Sequence, residues 1–472
     1  MFGLNVTQLM AVGVGGALLL VALRWVVLRE SDRVIRRIIV TGFAAKLVGT
    51  AAYYWVIAEI YGRGDVTGYI ARGRELAPII RSGTLPDQAQ ETGTQFMQFL
   101  TGVVFAVMGP NEIVGYLVFS MLSFAGMLAF LSALRLAAPT ANHRRYAFLV
   151  LLIPTMVFWP STIGKEAWLV FTLGFGSYGV ARVLTRSRFG YVLLTVSVVA
   201  MGAVRPHMAA LFSVSFAFAY LVHMADRDVR RNTAAWVGLV LVGGLVVFAT
   251  TIFSDEMGGG DVEQGSTVDR LRADTEAVFE RTDQNTRRGG SEFDSRPVEG
   301  PADFLHAVVT VPFRPFPHEA HNRQAQLISL EGLFLMGLAV LAIPQLMRLP
   351  RLVLRRPYLA FATVYSLGFI VAFSNVGNFG ILTRQRAQLL PLLFVLLAVA
   401  LQRRRAGQVQ GPPLVPAPPV DRDAEGLDDH ERNAASKIGS PSQRPVEPGH
   451  DRSVELLVDL PPGSVEEGRS TT

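Results

Sequence analysis

Hydrophobic and polar positions along this chain fall into long apolar blocks separated by short arginine-bearing segments. A helix rises 1.5 Å per residue, so about 20 apolar residues cross about 30 Å of hydrocarbon. Blocks of that length, or close to it, run over 9–28, 38–60, 112–136, 146–161, 167–184, 191–204, 208–225, 234–253, 327–347, 358–374 and 387–401. The pattern predicts an all-α fold, a polytopic integral membrane bundle of about eleven spans with a large outer loop. The run 95–108 is too short to span and ends at Gly109-Pro110, which predicts a re-entrant or interfacial helix. No cationic segment precedes the first block and no small-residue cleavage site interrupts it, so it is expected to be a retained span and not a signal peptide.

Composition agrees with this reading. Of 472 residues 50% are hydrophobic and 17% charged, more apolar surface than one water-soluble core requires. Cysteine is absent, which excludes disulfides, a thiol nucleophile and a cysteine metal site. The net charge of +6 comes from arginine, since Lys46, Lys165 and Lys437 are the only lysines. Arginines cluster at 29–37, 144–145, 182–188, 227–231, 348–356 and 403–405, in alternate loops. By the positive-inside rule these loops are cytoplasmic, the C-terminus is inside and the N-terminus outside. Orientation in a membrane accounts for the basic charge, and no nucleic-acid partner is expected. The transmembrane domain is expected over 1–405, with outer loops at 61–94 and 254–325. Within the second, 255–301 is Gly-rich and polar around one stretch of helical period, TVDRLRADTEAVFER. The tail, 406–472, is rich in Pro, Ser and mixed charge and is expected to be a disordered cytoplasmic extension.

The polar residues that interrupt the apolar pattern collect beside the predicted outer ends of the spans. FWPSTIGKEAW carries Lys165 and Glu166, the only charges between Tyr146 and Ala181, and is expected at the tip of a helical hairpin. A solvated turn is one reading of that pair and a chosen ammonium is the other. AVRPHMA places Arg205 and His207 in the next outer turn, against the positive-inside rule, so Arg205 requires an anionic ligand or an internal carboxylate. FRPFPHEAHNRQ holds Arg314, His318, Glu319 and His321 in an extended, proline-restricted strap. Its histidines lack HExxH spacing, so neither a metal nor another cofactor is expected. TRQRAQLLP brings Arg384 and Arg386 to the start of the last span, and GRGDVTGY brings Asp65 to the end of an early one. Cations gathered at a membrane surface suit an anionic head group, and a nearby Asp, Glu or His can take a proton from a hydroxyl.

On GDVTGY, FWPSTIGKEA, VRPH, FRPFPHEAHN and TRQRAQLLP, the chain resembles bacterial multispanning proteins of exopolysaccharide assembly. It is similar in style to O-antigen polymerases and other membrane glycosyltransferases of the GT-C type. The resemblance implies a polyprenyl-diphosphate-linked sugar as substrate at the outer face of a bacterial plasma membrane, with membrane lipid and polysaccharide assembly proteins as partners. In that reading Asp65, Glu319 or His318 is the catalytic base, and Lys165, Glu166, Arg205, His207, Arg314, His321, Arg384 and Arg386 bind substrate. A GT-C enzyme has an acidic pair in its first outer loop; here Asp65 stands with Glu59 six residues earlier. A transporter or lipid-linked glycan flippase, and a non-catalytic envelope assembly factor, are the alternatives at this point.

Overall fold

The computed structural model describes residues 6–56, 64–225, 298, 300–320 and 323–400. The predicted span 234–253, the segment 255–297, Glu59, His321 and the tail lie outside the described residues. Those described are helical, in the order α1 Val6–Arg29, α2 Arg33–Val56, α3 Asp65–Arg81, α4 Thr94–Met108, α5 Glu112–Ala137, α6 His143–Leu152, α7 Pro154–Phe158 and α8 Lys165–Leu184. Then come α9 Phe189–Gly202, α10 Pro206–Met224, α11 Pro301–Phe313, α12 Arg323–Leu346, α13 Leu349–Val353, α14 Pro357–Ala372 and α15 Phe379–Ala400.

Among the described residues five helices contain stretches long and apolar enough to cross a membrane: Glu112–Ala137, Lys165–Leu184, Pro206–Met224, Ala325–Pro344 and Phe379–Val399. Shorter apolar helices are Thr94–Met108, Phe189–Gly202 and Pro357–Ala372. Leu327, Leu330, Leu341 and Met347 on and after α12 are exposed, as lipid-facing side chains are. The helix α8 packs between α5 and α9, and α15 joins α6, α12 and α14. At the crossing of α5 and α8 the backbones touch. A Cβ on Gly126 would collide with the Val170 carbonyl, and one on Gly174 with the Gly126 carbonyl, so glycine permits the approach.

The segments expected as outer loops contain helices, and one expected span is broken. The first is 61–94, described from Gly64 onward. This segment includes α3 and a 3-10 turn, Asp87–Ala89, and α3 packs parallel to α4, with Gly73 against Thr101 near its middle and Arg81 donating to the carbonyls of Phe105 and Ala106 at its end. Polar residues on one face of α3 hid it from a search for apolar blocks, while Val66, Tyr69, Ile70, Leu76 and Ala77 bury the other. Likewise 254–325 contains α11. The expected span 146–161 is also not one helix. Pro154 forces Ile153 into extended backbone (ψ 131°), so the chain ends α6 there and restarts as α7.

A break inside an apolar bundle leaves helix-terminal groups that need partners. Buried side chains supply them. At the N-terminus of α7, Glu331 Oε2 accepts from the Thr155 N–H (2.8 Å), and at its C-terminus Lys46 Nζ donates to the carbonyls of Met156 (3.1 Å) and Val157 (3.5 Å). An acid at the start of a helix and a base at its end complement its dipole. Thr50 donates to Ser120 (2.7 Å) and Ser123 to the Pro160 carbonyl (2.6 Å), fixing the FWPS turn that leads to α8.

One end of the bundle carries Arg135, paired with Glu30 (2.6 Å), Arg144, paired with Asp32 (2.7 Å), and Arg182 at the end of α8. Along α8 and α15 the residues Glu166 and Arg384 lie about 20–25 Å above this basic end, at 1.5 Å per residue.

Candidate functional site

At that height several helices begin. Gly164 is extended (φ −178°) and caps α8, whose first residues are Lys165 and Glu166. Arg205 is the extended N-cap of α10, followed by Pro206 at the first helical position, where its missing N–H costs nothing. Asn378 caps α15 by accepting from Gly380 (2.9 Å) and Ile381 (3.2 Å), so Arg384 stands on its second turn. Asp65 opens α3. Each N-terminus turns the positive end of its dipole toward the same neighbourhood.

Glu166 is the centre of the group and is 2% exposed. Its Oε1 receives Arg205 Nη2 at 3.0 Å and Arg384 Nε at 2.7 Å. Arg384 Nη2 also reaches Asp65 Oδ2 at 3.3 Å, on the exposed rim. Arg205 Nη1 donates to Gln385 Oε1, which also accepts from Gln388 Nε2 (2.6 Å). Lys165 is half-buried against the loop before α4, where a Cβ on Gly93 would lie 3.6 Å from its Nζ. Gly93 holds φ +68°, a conformation open to glycine, and its N–H donates to the Ala203 carbonyl beside Arg205 (2.9 Å). This bond ties the start of α4 to the α9–α10 turn. Tyr69, buried under α3, has its hydroxyl pushed up to about 12 by burial and by the nearby Asp65 and Glu166 carboxylates.

Asp65, Lys165, Glu166, Arg205 and Arg384, called from segments up to 319 positions apart, therefore form one assembly. Its formal charge, three cations against two carboxylates, leaves one positive charge. The expectation that Lys165 and Glu166 sit together on an exposed hairpin tip is corrected for Glu166, which is buried beneath its arginines.

Arg314, His318, Glu319 and Arg386 belong to a different group. Arg386, two positions beyond Arg384, points about 200° away around α15. It is 0% exposed and donates through Nη1 to the carbonyls of Pro312 (3.0 Å) and Arg314 (2.9 Å). Its Nη2 lies 3.9 Å from Glu331 Oε1. Arg314 pairs with Glu319 (2.9 Å), whose other oxygen accepts from the Phe316 N–H (2.9 Å). His318 stacks on Phe316 at 5.8 Å. The strap FRPFPHE thus closes on itself, and Glu319 and His318 do not join the Glu166 group. His207 is exposed, its ring 6.4 Å from that of Phe373.

Gln385, Gln388 and Glu331 escaped the sequence reading. Glu331 had the clearest signal, a lone acid in the apolar run LISLEGLFL, of the same kind that draws attention to Lys165. Among the described residues no group of three or more His, Asp and Glu is placed to hold a metal ion. Comparison with family models, with curated proteins and with solved structures returns no match to this chain.

Proposed function

We propose that this chain is a membrane glycosyltransferase or polysaccharide polymerase that takes its sugar from a polyprenyl-diphosphate-linked glycan at the outer face of a bacterial plasma membrane. The observation that supports it is the gathering of Lys165, Arg205 and Arg384 around Glu166, with Asp65 on the exposed rim. In this reading the bundle has about eleven spans and its basic end faces the cytoplasm. A hydrocarbon layer of about 30 Å above that end then brings the cluster, about 20–25 Å up, into the outer leaflet.

A diphosphate entering from the rim meets Arg384 and Lys165 first, with the N-termini of α8 and α10 behind them. Asp65 takes the proton of the acceptor hydroxyl. The acceptor oxygen bonds to the anomeric carbon as the bond from that carbon to the diphosphate oxygen breaks, and the lipid diphosphate leaves with the electron pair. Glu166 acts through Arg205 and Arg384, fixing their guanidinium groups before substrate arrives. Asp65 is preferred to Glu319 as base because both oxygens of Glu319 are engaged within its own strap.

The test uses full-length protein in vesicles, given a polyprenyl-diphosphate-linked oligosaccharide and an acceptor glycan. Release of polyprenyl diphosphate together with a lengthened glycan is expected. Asp65→Asn should retain substrate binding while product formation falls. Equal binding of polyprenyl diphosphate and uncharged polyprenol by the wild-type protein would refute the reading.

A further inference from the structure

The opposite, basic end of the bundle holds a cavity of about 360 Å³ between the α5–α6 loop, the ends of α8 and α10, the start of α14 and the end of α15. Arg355, Arg356, His223, Thr140 and Thr185 line it, and among the described residues no carboxylate does. Arg355 and Arg356 are exposed, and neither guanidinium has an ion-pair partner among the described residues. Arg356 is the N-cap of α14, a helix of 16 residues, so the positive end of its dipole adds to the two cations.

Tyr358, on the first turn of α14, supplies an independent observation. It lines the same cavity, is 4% exposed, and keeps a hydroxyl with no hydrogen-bond partner among the described residues. A buried hydroxyl without a partner costs stability, so such groups ordinarily find one. An oxygen-rich anion in the cavity would give Tyr358 an acceptor and the arginines a counter-charge. The rest of the wall is apolar, with Ala137, Leu184 and Val395 among its residues.

We infer that this cavity binds the phosphate group of an anionic phosphoester, with Arg355 and Arg356 as charge partners and Tyr358 donating from beneath. The volume accepts a phosphoglycerol-sized group, and the basic end is where lipid head groups meet the bundle in the proposed orientation. The phosphate can therefore belong to a membrane lipid or to a soluble phosphoester, and the site is independent of the cluster around Glu166.

Full-length protein released from vesicles of phosphatidylglycerol and phosphatidylcholine would be examined by native mass spectrometry for retained lipid. The wild type should keep phosphatidylglycerol, and Arg355→Gln/Arg356→Gln should retain about tenfold less, as expected for losing charge-assisted bonds. Arg348→Gln/Arg351→Gln, the same charge change outside the cavity, should stay near wild type. Tyr358→Phe, which keeps the ring and the fold, should lower retention several-fold. If sn-glycerol 1-phosphate or inorganic phosphate raises the melting temperature of wild type and not of the cavity double variant, while no lipid is retained, the ligand is soluble. Equal retention by wild type and the cavity double variant, equal loss in both double variants, or no response to either probe would each overturn the assignment.

Discussion

Arg384 and Arg386 stand two residues apart on one helix, and their surroundings differ in kind. Arg386 is fully buried, donates to two backbone carbonyls and faces Glu331, which itself caps α7. Arg384 leaves 29% of its side chain exposed and bridges a buried carboxylate to one on the rim. In the first arrangement two backbone carbonyls and Glu331 Oε2 are used to hold chain segments together. The second keeps cationic surface at an open edge, above helix N-termini that favour an anion. Burial with backbone partners marks a charge that maintains the fold, and partial exposure among converging cations marks one able to meet a ligand. Lys46 belongs with Arg386: its ammonium is occupied by the end of α7, which removes the intramembrane charge that a transporter reading would call on.

The largest effect is expected on the structural side. Arg386→Met leaves Glu331 without its cation and frees the carbonyls of Pro312 and Arg314, at a cost of about 3–5 kcal/mol for breaking a buried pair. Melting in detergent and abundance in the membrane should both fall sharply. Adding Glu331→Gln should recover part of the loss, because the amide oxygen still accepts from Thr155 while the uncompensated charge is gone. If Arg386→Met instead folds normally and loses only glycan output, the division between the two arginines fails.

Arg384→Gln is next and should act on chemistry. Wild-type abundance with about a hundredfold drop in glycan product is the expected result, the scale of losing a donor to developing anionic charge. Glu166→Gln should lower melting as well, since two guanidinium groups lose their common acceptor. Failure of both variants to fold would place this cluster on the structural side of the comparison.

Much of the fold was legible because hydrophobic blocks report span-length helices directly, as at 112–136, observed as Glu112–Ala137. Partly exposed amphipathic elements were less legible. The polar face of α3 gave no apolar block, and its register with α4 depends on contacts such as Gly73 against Thr101 that local sequence does not specify. The residues of the Glu166 group were noticed one by one, as charges out of place. What the sequence could not show was which of them meet, since Arg384 and Arg386 look equivalent in TRQRAQ until the rotation of α15 separates them. Gln385 and Gln388 carry no charge and so left no signal.

A smaller effect is expected at Lys165, which borders the group without an ion-pair partner in it. Lys165→Ala should keep normal abundance and lose product about tenfold, corresponding to about 1.4 kcal/mol of transition-state stabilisation. Lys165→Arg should restore part of the activity, because the charge returns but a planar guanidinium aims its donors differently beside Gly93. Wild-type output from Lys165→Ala at equal protein level would confine the functional cations to Arg205 and Arg384.

The smallest effect calibrates the comparison with an ion pair that serves neither role. Asp32, at the basic end, accepts from the Val34 N–H (2.8 Å) and from Arg144 Nε (2.7 Å). The Arg144 hydrogen bond holds its carboxyl below the usual carboxylate range. Asp32→Asn keeps an acceptor for the α2 cap and removes the charge, so the difference from wild type isolates the pair with Arg144. An exposed pair of this kind contributes below about 1 kcal/mol. The sign follows from the lowered value. The folded protein ionises Asp32 more readily than the unfolded chain, whose Asp titrates near about 3.9, so the stabilisation is complete above that pH. It then disappears as pH falls through the lower folded value. Melting curves of wild type and Asp32→Asn should differ by a small constant amount from pH 5 to 7 and converge below about pH 4, whereas Arg386→Met should remain far below wild type throughout pH 5 to 7. If Asp32→Asn proves as damaging as Arg386→Met, burial is not what separates the structural charges of this bundle from the others, and the distinction drawn between Arg384 and Arg386 loses its physical basis.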